Sequence, residues 1–358
     1  MYPEQVPRTG DPRGKGDHAL TTLLLAERLI TFGERSHVSE PERMTRHVPD
    51  LAGKTIVVTG ANSGLGYEAT RVFARKNATV VMACRDTDRA DEAAREVSRE
   101  VPDASLSVAE LDLADLDSIG EFAESFTDEY DELHVLCNNA GVIAIPRRET
   151  AEGFETQFGV NHLGHFALTG LLLDSLTGTE GETLVVTQSG GAHESGEIDF
   201  DDLQSENSYD KWAAYGQSKL ANVLFAYELD RRLSAADLDV KSVACHPGYA
   251  ATELQGRGPE MEGSTARKWL MEGANRLVAQ SAAMGALPMV YAATASTIEG
   301  GEYIGPDGFQ GMRGYPTEVE SSARSHDRNT AERLWDVSAE LIGIEFGLDR
   351  ARSESVAR

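Results

Sequence analysis

A strand that turns through three glycines into a helix is the feature that most constrains this chain. The apolar residues 55–58 lead directly into Thr59-Gly60-Ala61-Asn62-Ser63-Gly64-Leu65-Gly66. Gly60 permits a tight turn, Gly64 lets the backbone approach a ligand, and Gly66 lets the following helix pack closely on the strand. The unpaired N–H groups at the start of that helix then face the turn, an arrangement that holds an anion such as a dinucleotide pyrophosphate. Asn62, Ser63 and Leu65 shape the same turn. Taken alone, such a turn also fits a ligand-free connection, so the rest of the chain has to decide.

From residue 54 onward, strand-like and helix-like segments alternate over short connections. Strands are expected at 55–58, 79–83, 106–111, 135–138, 183–187 and 241–245, with a last short one near 302–304. Helices are expected to start near Gly64, Thr87, Leu116, Glu152, Tyr209 and Ser281. This alternation specifies an α/β fold, a doubly wound parallel sheet of about seven strands with helices on both faces. A single domain spans residues 44–310 on this reading. Residues 252–278 interrupt the alternation and suit a lid over a substrate, in which Trp269, Leu270 and Met271 either line that substrate or pack the lid on the core. Residues 311–358 read as a polar loop, a helix presenting Leu334, Trp335, Val337 and Leu341 on one face, and a tail. Residues 1–43 form an N-terminal extension, polar and disordered over 1–17 with a short amphipathic helix at 18–33. Two readings of it stand: a segment preceding a true start at Met44, or a docking or oligomerisation helix.

The charge balance narrows the partners. The chain carries 59 acidic against 33 basic residues, a formal net charge of −26. The acids are spread over helices and loops, so the whole surface repels nucleic acid and anionic lipid. Such a coat is expected of a halophilic protein, because at molar ionic strength screening over about 3 Å removes its self-repulsion. A melting temperature that rises between about 0.1 and 3 M KCl is the expected result, and a constant one rejects the idea. Cys84, Cys137 and Cys245 are far apart and each lies in an apolar run, as reduced buried thiols do. A cytoplasmic location follows as the simplest expectation. Residues 23–26 are cut short by Glu27 and Arg28, and neither a membrane span nor an export signal is expected.

Tyr215-Gly216-Gln217-Ser218-Lys219 sets a phenol and an ammonium four residues apart on one helical face. A fixed cation stabilises a phenolate and brings its proton exchange toward neutral pH, which suits a proton donor and acceptor. The same spacing occurs on ordinary exposed helices, so its weight comes from its company. His162, His165 and His193 lack cysteine or acidic partners at ligand spacing and read as packing residues, so no metal is expected.

In that company, the chain resembles the short-chain dehydrogenase/reductase family, most closely its retinol dehydrogenase and WW-domain oxidoreductase-like branch. The motifs fall in the family's order: residues 59–66; Asp112-Leu113; Asn138-Asn139-Ala140-Gly141; Val160-Asn161-His162; residues 215–222; and His246-Pro247-Gly248 with Thr252. The resemblance implies a Rossmann-type fold and a nicotinamide cofactor. Asp112, followed by Leu113, would meet the adenine, while Asn138, Asn139, Ala140 and Gly141 would brace the central strand beside the cofactor. Asn161 would hold a helix kink and a water that links Lys219 to solvent. Lys219 would also bind the nicotinamide ribose, and Pro247, Gly248 and Thr252 would seat the carboxamide. Tyr215 would pass the proton between a carbonyl and an alcohol on a mainly apolar small molecule. A homodimer or homotetramer, paired through the helices bearing Asn161 and Tyr215, is implied at the family level.

Two positions refine that picture. NAD-selective relatives carry an acid where Cys84 stands, whereas here Arg85 follows at once and its guanidinium suits a 2′-phosphate. NADP(H) is therefore the preferred cofactor and NAD(H) the lesser one, with Asp86 alongside working against the charge argument. The active-site serine of the branch falls on Gly190 in the run Thr187-Gln188-Ser189-Gly190-Gly191. Either Ser189 supplies that hydroxyl through a one-residue shift, or none is supplied. The second case admits another class of function, a nucleotide-binding sensor or scaffold that catalyses poorly.

Overall fold

The first strand shows how the sequence builds two cores. In β1 (Thr55–Thr59), Ile56 and Val58 point to one face of a sheet and Val57 to the other, and all three are fully buried. A strand covered on both sides needs such an unbroken apolar, β-branched run. The computed structural model describes residues 45–248, 281–308 and 311–348. The expectations for the N-terminal extension, for the lid at 252–278 and for Thr252 lie outside the described residues.

After β1 come α1 (Gly64–Arg75), β2 (Thr79–Cys84), α2 (Thr87–Glu100), β3 (Ser105–Glu110), α3 (Leu116–Glu129) and β4 (Val135–Asn138). The second half holds α4 (Thr156–Phe158), a π-helical turn (Gly159–Leu163), α5 (Gly164–Leu171), α6 (Leu173–Gly178), β5 (Thr183–Gln188), α7 (Lys211–Ala235) and β6 (Val240–Cys245). It continues with α8 (Ala282–Gly285), α9 (Leu287–Thr294), β7 (Tyr303–Pro306), β8 (Pro316–Glu318) and α10 (Arg328–Ile342). The strands lie in the order β3-β2-β1-β4-β5-β6-β7-β8, and every neighbouring pair is parallel except β7 with β8. Side chains of α1, α2 and α9 cover one face, and those of α3, α5, α7 and α10 the other. The connections run in opposite directions on either side of the β1–β4 pair, so a crevice opens at the carboxyl ends of these two strands, beside Thr59 and Asn138.

The α/β doubly wound fold is thus the one expected, with four corrections. The sheet has eight strands, not about seven: β8 is three residues long, begins with Pro316 and pairs antiparallel at the edge, a place where proline is tolerated. β8 and α10 also extend the sheet and core beyond residue 310. On α10 the buried face is Ala331, Leu334, Trp335, Ser338 and Ile342, whereas Leu341 is exposed. The Arg232 guanidinium lies 4.5 Å from the Trp335 ring and fixes that face on α7. Two helices start later than expected. Glu155 caps α4 through the N–H groups of Gln157 and Phe158, and Asp210 caps α7 through those of Trp212 and Ala213.

Candidate active site

The glycine turn after β1 is shaped by close approach. Gly60 has a φ of +67° and Gly64 one of +56°, both in the left-handed region. A Cβ on Gly66 would stand 2.4 Å from the Gly60 carbonyl oxygen, so α1 lies against the turn as only glycine allows. Ser63 flanks α1 without capping it, and the first turn of α1 contains no acid. By contrast α2, α3, α7 and α10 are each capped by an aspartate side chain. A glycine-lined cradle beneath uncapped N–H groups fits a pyrophosphate. The loop after β4 is wired to the same turn: the Thr59 hydroxyl accepts from the N–H groups of Asn139 and Ala140, each at 2.9 Å, and the Asn139 amide donates to the Thr59 carbonyl at 2.7 Å.

At the end of β2 the Cys84 thiol is buried, and burial pushes it up to about 11 despite the neighbouring backbone of Gly60, Ala61 and Asn62. Arg85 is exposed, with its guanidinium 3.9 Å from the Asp112 carboxylate. Asp86, which weakened the charge argument, is engaged elsewhere: it accepts from the Arg89 N–H and caps α2. Asp112 accepts from the Ala114 N–H at 3.0 Å and its own N–H donates to the Ser118 hydroxyl, which fixes the turn after β3. Leu113 packs against the helix behind it, for a Cβ on Gly164 would stand 2.5 Å from the Leu113 carbonyl oxygen. Sequence reasoning missed Gly164; its only signal was a glycine inside an apolar helix.

Three segments converge on Asn161, within the π-helical turn. Its side-chain oxygen accepts from the Val142 N–H at 2.8 Å, and its amide donates to the Val142 carbonyl at 3.0 Å and to Ser218 Oγ at 2.9 Å. The expected kink is therefore this extra-residue turn, tied to the loop after β4 and to α7. A Cβ on Gly141 would stand 2.8 Å from Asn161 Oδ1 and 3.7 Å from Lys219 Nζ, which places the three residues together. Lys219 is buried; its Nζ lies 5.8 Å from the Tyr215 ring centre and donates to the Gln188 carbonyl at 3.2 Å. Asn222 donates to that carbonyl too, so Gln188 supplies an anchor that no sequence signal marked.

Burial dominates the ionisation of this pair. It raises the Tyr215 phenol above its usual range and lowers the Lys219 amine to about 8. The expected drop of the phenol toward neutrality is thus not found in the protein alone, because burial disfavours its charged form. Burial thus moves both groups toward their uncharged forms.

Ser189 is the clearest departure. Side chains alternate along an extended strand, and the Ser189 hydroxyl points away from the phenol and donates to the Lys219 carbonyl at 2.8 Å. The next residue is the one that faces the site: a Cβ on Gly190 would lie 3.4 Å from the Tyr215 hydroxyl. The one-residue shift has not occurred, and position 190 brings no hydroxyl. Beyond β6, Gly248 has a φ of +64° and its N–H donates to His246 Nδ1 at 3.3 Å, which turns the chain after Pro247. Trp212, one turn before Tyr215, was missed as well; it is 52% exposed and packs edge-on against the phenol at 6.3 Å. His162 is buried against Phe166, Phe225 and Ser338, and His165 is buried between the Thr59 hydroxyl and the Asn161 carbonyl; no metal-binding cluster occurs among the described residues.

The comparisons with known proteins agree with this geometry. Residues 54–263 match the family model described as short chain dehydrogenase. Human retinol dehydrogenase 12 is 42% identical over 298 residues, covering 83% of this chain and 88% of that protein. Human retinol dehydrogenase 13 is 40% identical over 298 residues, covering 82% and 86% respectively. A solved structure from Mycobacterium paratuberculosis matches with a TM-score of 0.70 at 40% identity, over 84% of this chain and 98% of that one. A structure with bound NADP, assigned as an NAD(P)-dependent gluconate 5-dehydrogenase of Beutenbergia cavernae, matches at 26% identity and a TM-score of 0.54 over 71% and 95%. The chain belongs to the short-chain dehydrogenase/reductase family, in its retinol dehydrogenase-like part. It is accordingly an NAD(P)-dependent oxidoreductase acting on CH–OH donors, and its substrate is a small molecule. Among the described residues no helix is long and apolar enough to cross a membrane.

Proposed function

We propose that the protein interconverts a carbonyl and an alcohol on a mainly apolar small molecule, with NADP(H) as the preferred cofactor and Tyr215 as proton donor and acceptor. The observation that carries this reading is the placement of Tyr215 and Lys219 on one turn of α7, beside Asn161 and Gly141. The cofactor would be held by Gly60, Asn62, Ser63, Gly64, Leu65 and Gly66 at its pyrophosphate and by Arg85 at its 2′-phosphate. When bound, it supplies or accepts the hydride. Lys219 then orients the ribose, and Tyr215 gives its hydroxyl proton to the forming alkoxide or takes it back. Trp212 supports an apolar substrate, as do relatives named for retinol. Three buried unpaired cysteines support a reducing, cytoplasmic compartment.

The cofactor preference rests on Arg85. Replacing it with alanine is expected to weaken NADPH about tenfold, ~1.4 kcal/mol, and to leave NADH within about twofold. Titration of both cofactors by fluorescence decides it, and equal losses for the two reject the assignment.

Gly190 favours one second reading, a nucleotide-binding sensor that turns over poorly. The backbone of residue 190 is extended, with φ −173° and ψ 164°, and a Cβ there meets the Tyr215 hydroxyl at an ordinary contact distance. A serine fits without strain. Under the oxidoreductase reading Gly190→Ser restores an oxyanion donor and raises turnover by up to about 10²-fold. NADPH binding without turnover on a panel of aldehydes, ketones and retinoids, and no gain from Gly190→Ser, would establish the sensor instead.

A further inference from the structure

We infer that His193 is a positioning residue: as the neutral tautomer protonated at Nδ1, it ties the backbone of Gly190, which faces Tyr215, to the backbone of Ser322 in the C-terminal segment. This inference rests on the oxidoreductase reading and adds a residue that neither the motifs nor the comparisons single out.

The hydrogen bonds fix the tautomer. The Ser322 N–H points at His193 Nε2 from 3.1 Å. A backbone N–H can only donate, so Nε2 must present its lone pair. The ring proton therefore sits on Nδ1, which lies 2.8 Å from the Gly190 carbonyl oxygen and donates to it. The His193 N–H donates to the same oxygen at 3.0 Å, so one residue holds that carbonyl twice. Burial of the imidazole, which is 2% exposed, favours the neutral form that this geometry demands.

The need for such a clamp follows from the local sequence. Gly190 and Gly191 are adjacent, and neither has a side chain to hold the backbone that forms the wall beside the phenol. The Gln188 amide holds the Ser189 carbonyl, and the side chain that holds the Gly190 carbonyl is that of His193. Its own support is built from three directions. Tyr303 of β7 packs edge-on at 5.1 Å, with its hydroxyl 3.3 Å from Nδ1. His246, at the end of β6, stacks on Tyr303 at 5.1 Å. From the C-terminal segment, Arg324 donates to the Gly196 carbonyl at 3.2 Å, which closes the far end of the same turn. Ser322 thus reaches the Gly190 carbonyl through one imidazole.

The test uses the full chain. In the wild type, ¹⁵N signals of labelled histidine are expected to show His193 as the Nδ1–H tautomer, and the Ser322 amide is expected to exchange slowly with solvent. His193→Ala should lower kcat about 10²-fold, on the scale of a 1 Å misplacement, with NADPH affinity unchanged and Ser322 exchange accelerated. His193→Gln, which offers a donor and an acceptor at once, should recover at least tenfold of that loss and protect Ser322 again. An Nε2–H tautomer in the wild type, or an alanine variant with wild-type kcat and a protected Ser322 amide, overturns the inference. If His193→Ala does not fold, the tautomer and the glutamine variant still decide. If the wild type turns over nothing in the aldehyde, ketone and retinoid panel, the functional reading fails, while the tautomer and the Ser322 exchange judge the clamp separately.

Discussion

Tyr215→Phe is expected to lower turnover by about 10³-fold or more while NADPH binds as before, because general acid–base transfer by a positioned side chain contributes roughly 10²–10⁴-fold. The substitution removes one oxygen and keeps the ring, so the packing against Trp212 survives and any loss is chemical. The hydroxyl is also the group nearest to position 190, where no other hydroxyl is supplied. Burial raises the phenol, so at neutral pH it is protonated and ready to donate to a carbonyl oxygen. Reduction draws on that proton and should be nearly level across the neutral range. Oxidation needs the phenolate, so its rate should climb as pH rises, until loss of the Lys219 proton at about 8 removes the cation that helps the phenolate form. The nicotinamide absorbance change, followed in both directions for wild type and variant, measures all of this. An undiminished rate in the phenylalanine variant would remove Tyr215 from the chemistry.

Much of this arrangement was legible in the chain itself, and the reasons are local. The strand spans at 55–58 and 135–138 agree with the structure to within a residue, because strands buried on both faces carry apolar runs. The cradle was legible because the glycines of residues 59–66 answer steric demands that no other residue meets. What stayed hidden depended on contacts between distant segments. The turn of Ser189 away from the phenol is set by the Lys219 carbonyl, thirty residues on. The ionisation of Tyr215 is set by how deeply α7 is buried, which spacing alone does not reveal. β8 carries no periodic signal in three residues, and the apolar pattern of α10 does not separate the exposed Leu341 from the buried Ile342 beside it.

Gly66→Ala tests the cradle as directly as Tyr215→Phe tests the chemistry. The added Cβ would stand 2.4 Å from the Gly60 carbonyl oxygen, 2.6 Å from the Asn139 amide nitrogen and 3.0 Å from the Gly60 carbonyl carbon. Neither neighbour can swing aside. Two of the three atoms are backbone, and the Asn139 amide is held by its 2.7 Å bond to the Thr59 carbonyl. Helix α1 must therefore retreat from the turn, and overpacking of this kind costs typically 1–3 kcal/mol of stability. The same retreat withdraws the uncapped N–H groups from the pyrophosphate, so NADPH affinity should fall by about 10²-fold, ~2.7 kcal/mol. Gly120 in α3 is the matched control. A Cβ there meets nothing within 4 Å, and replacing a helical glycine with alanine should stabilise the protein by about 0.5–1 kcal/mol without touching cofactor affinity. Denaturant unfolding and NADPH titration of both variants separate the two effects. Wild-type affinity in Gly66→Ala would place the pyrophosphate elsewhere, because no other feature of residues 59–66 depends so strictly on the missing side chain.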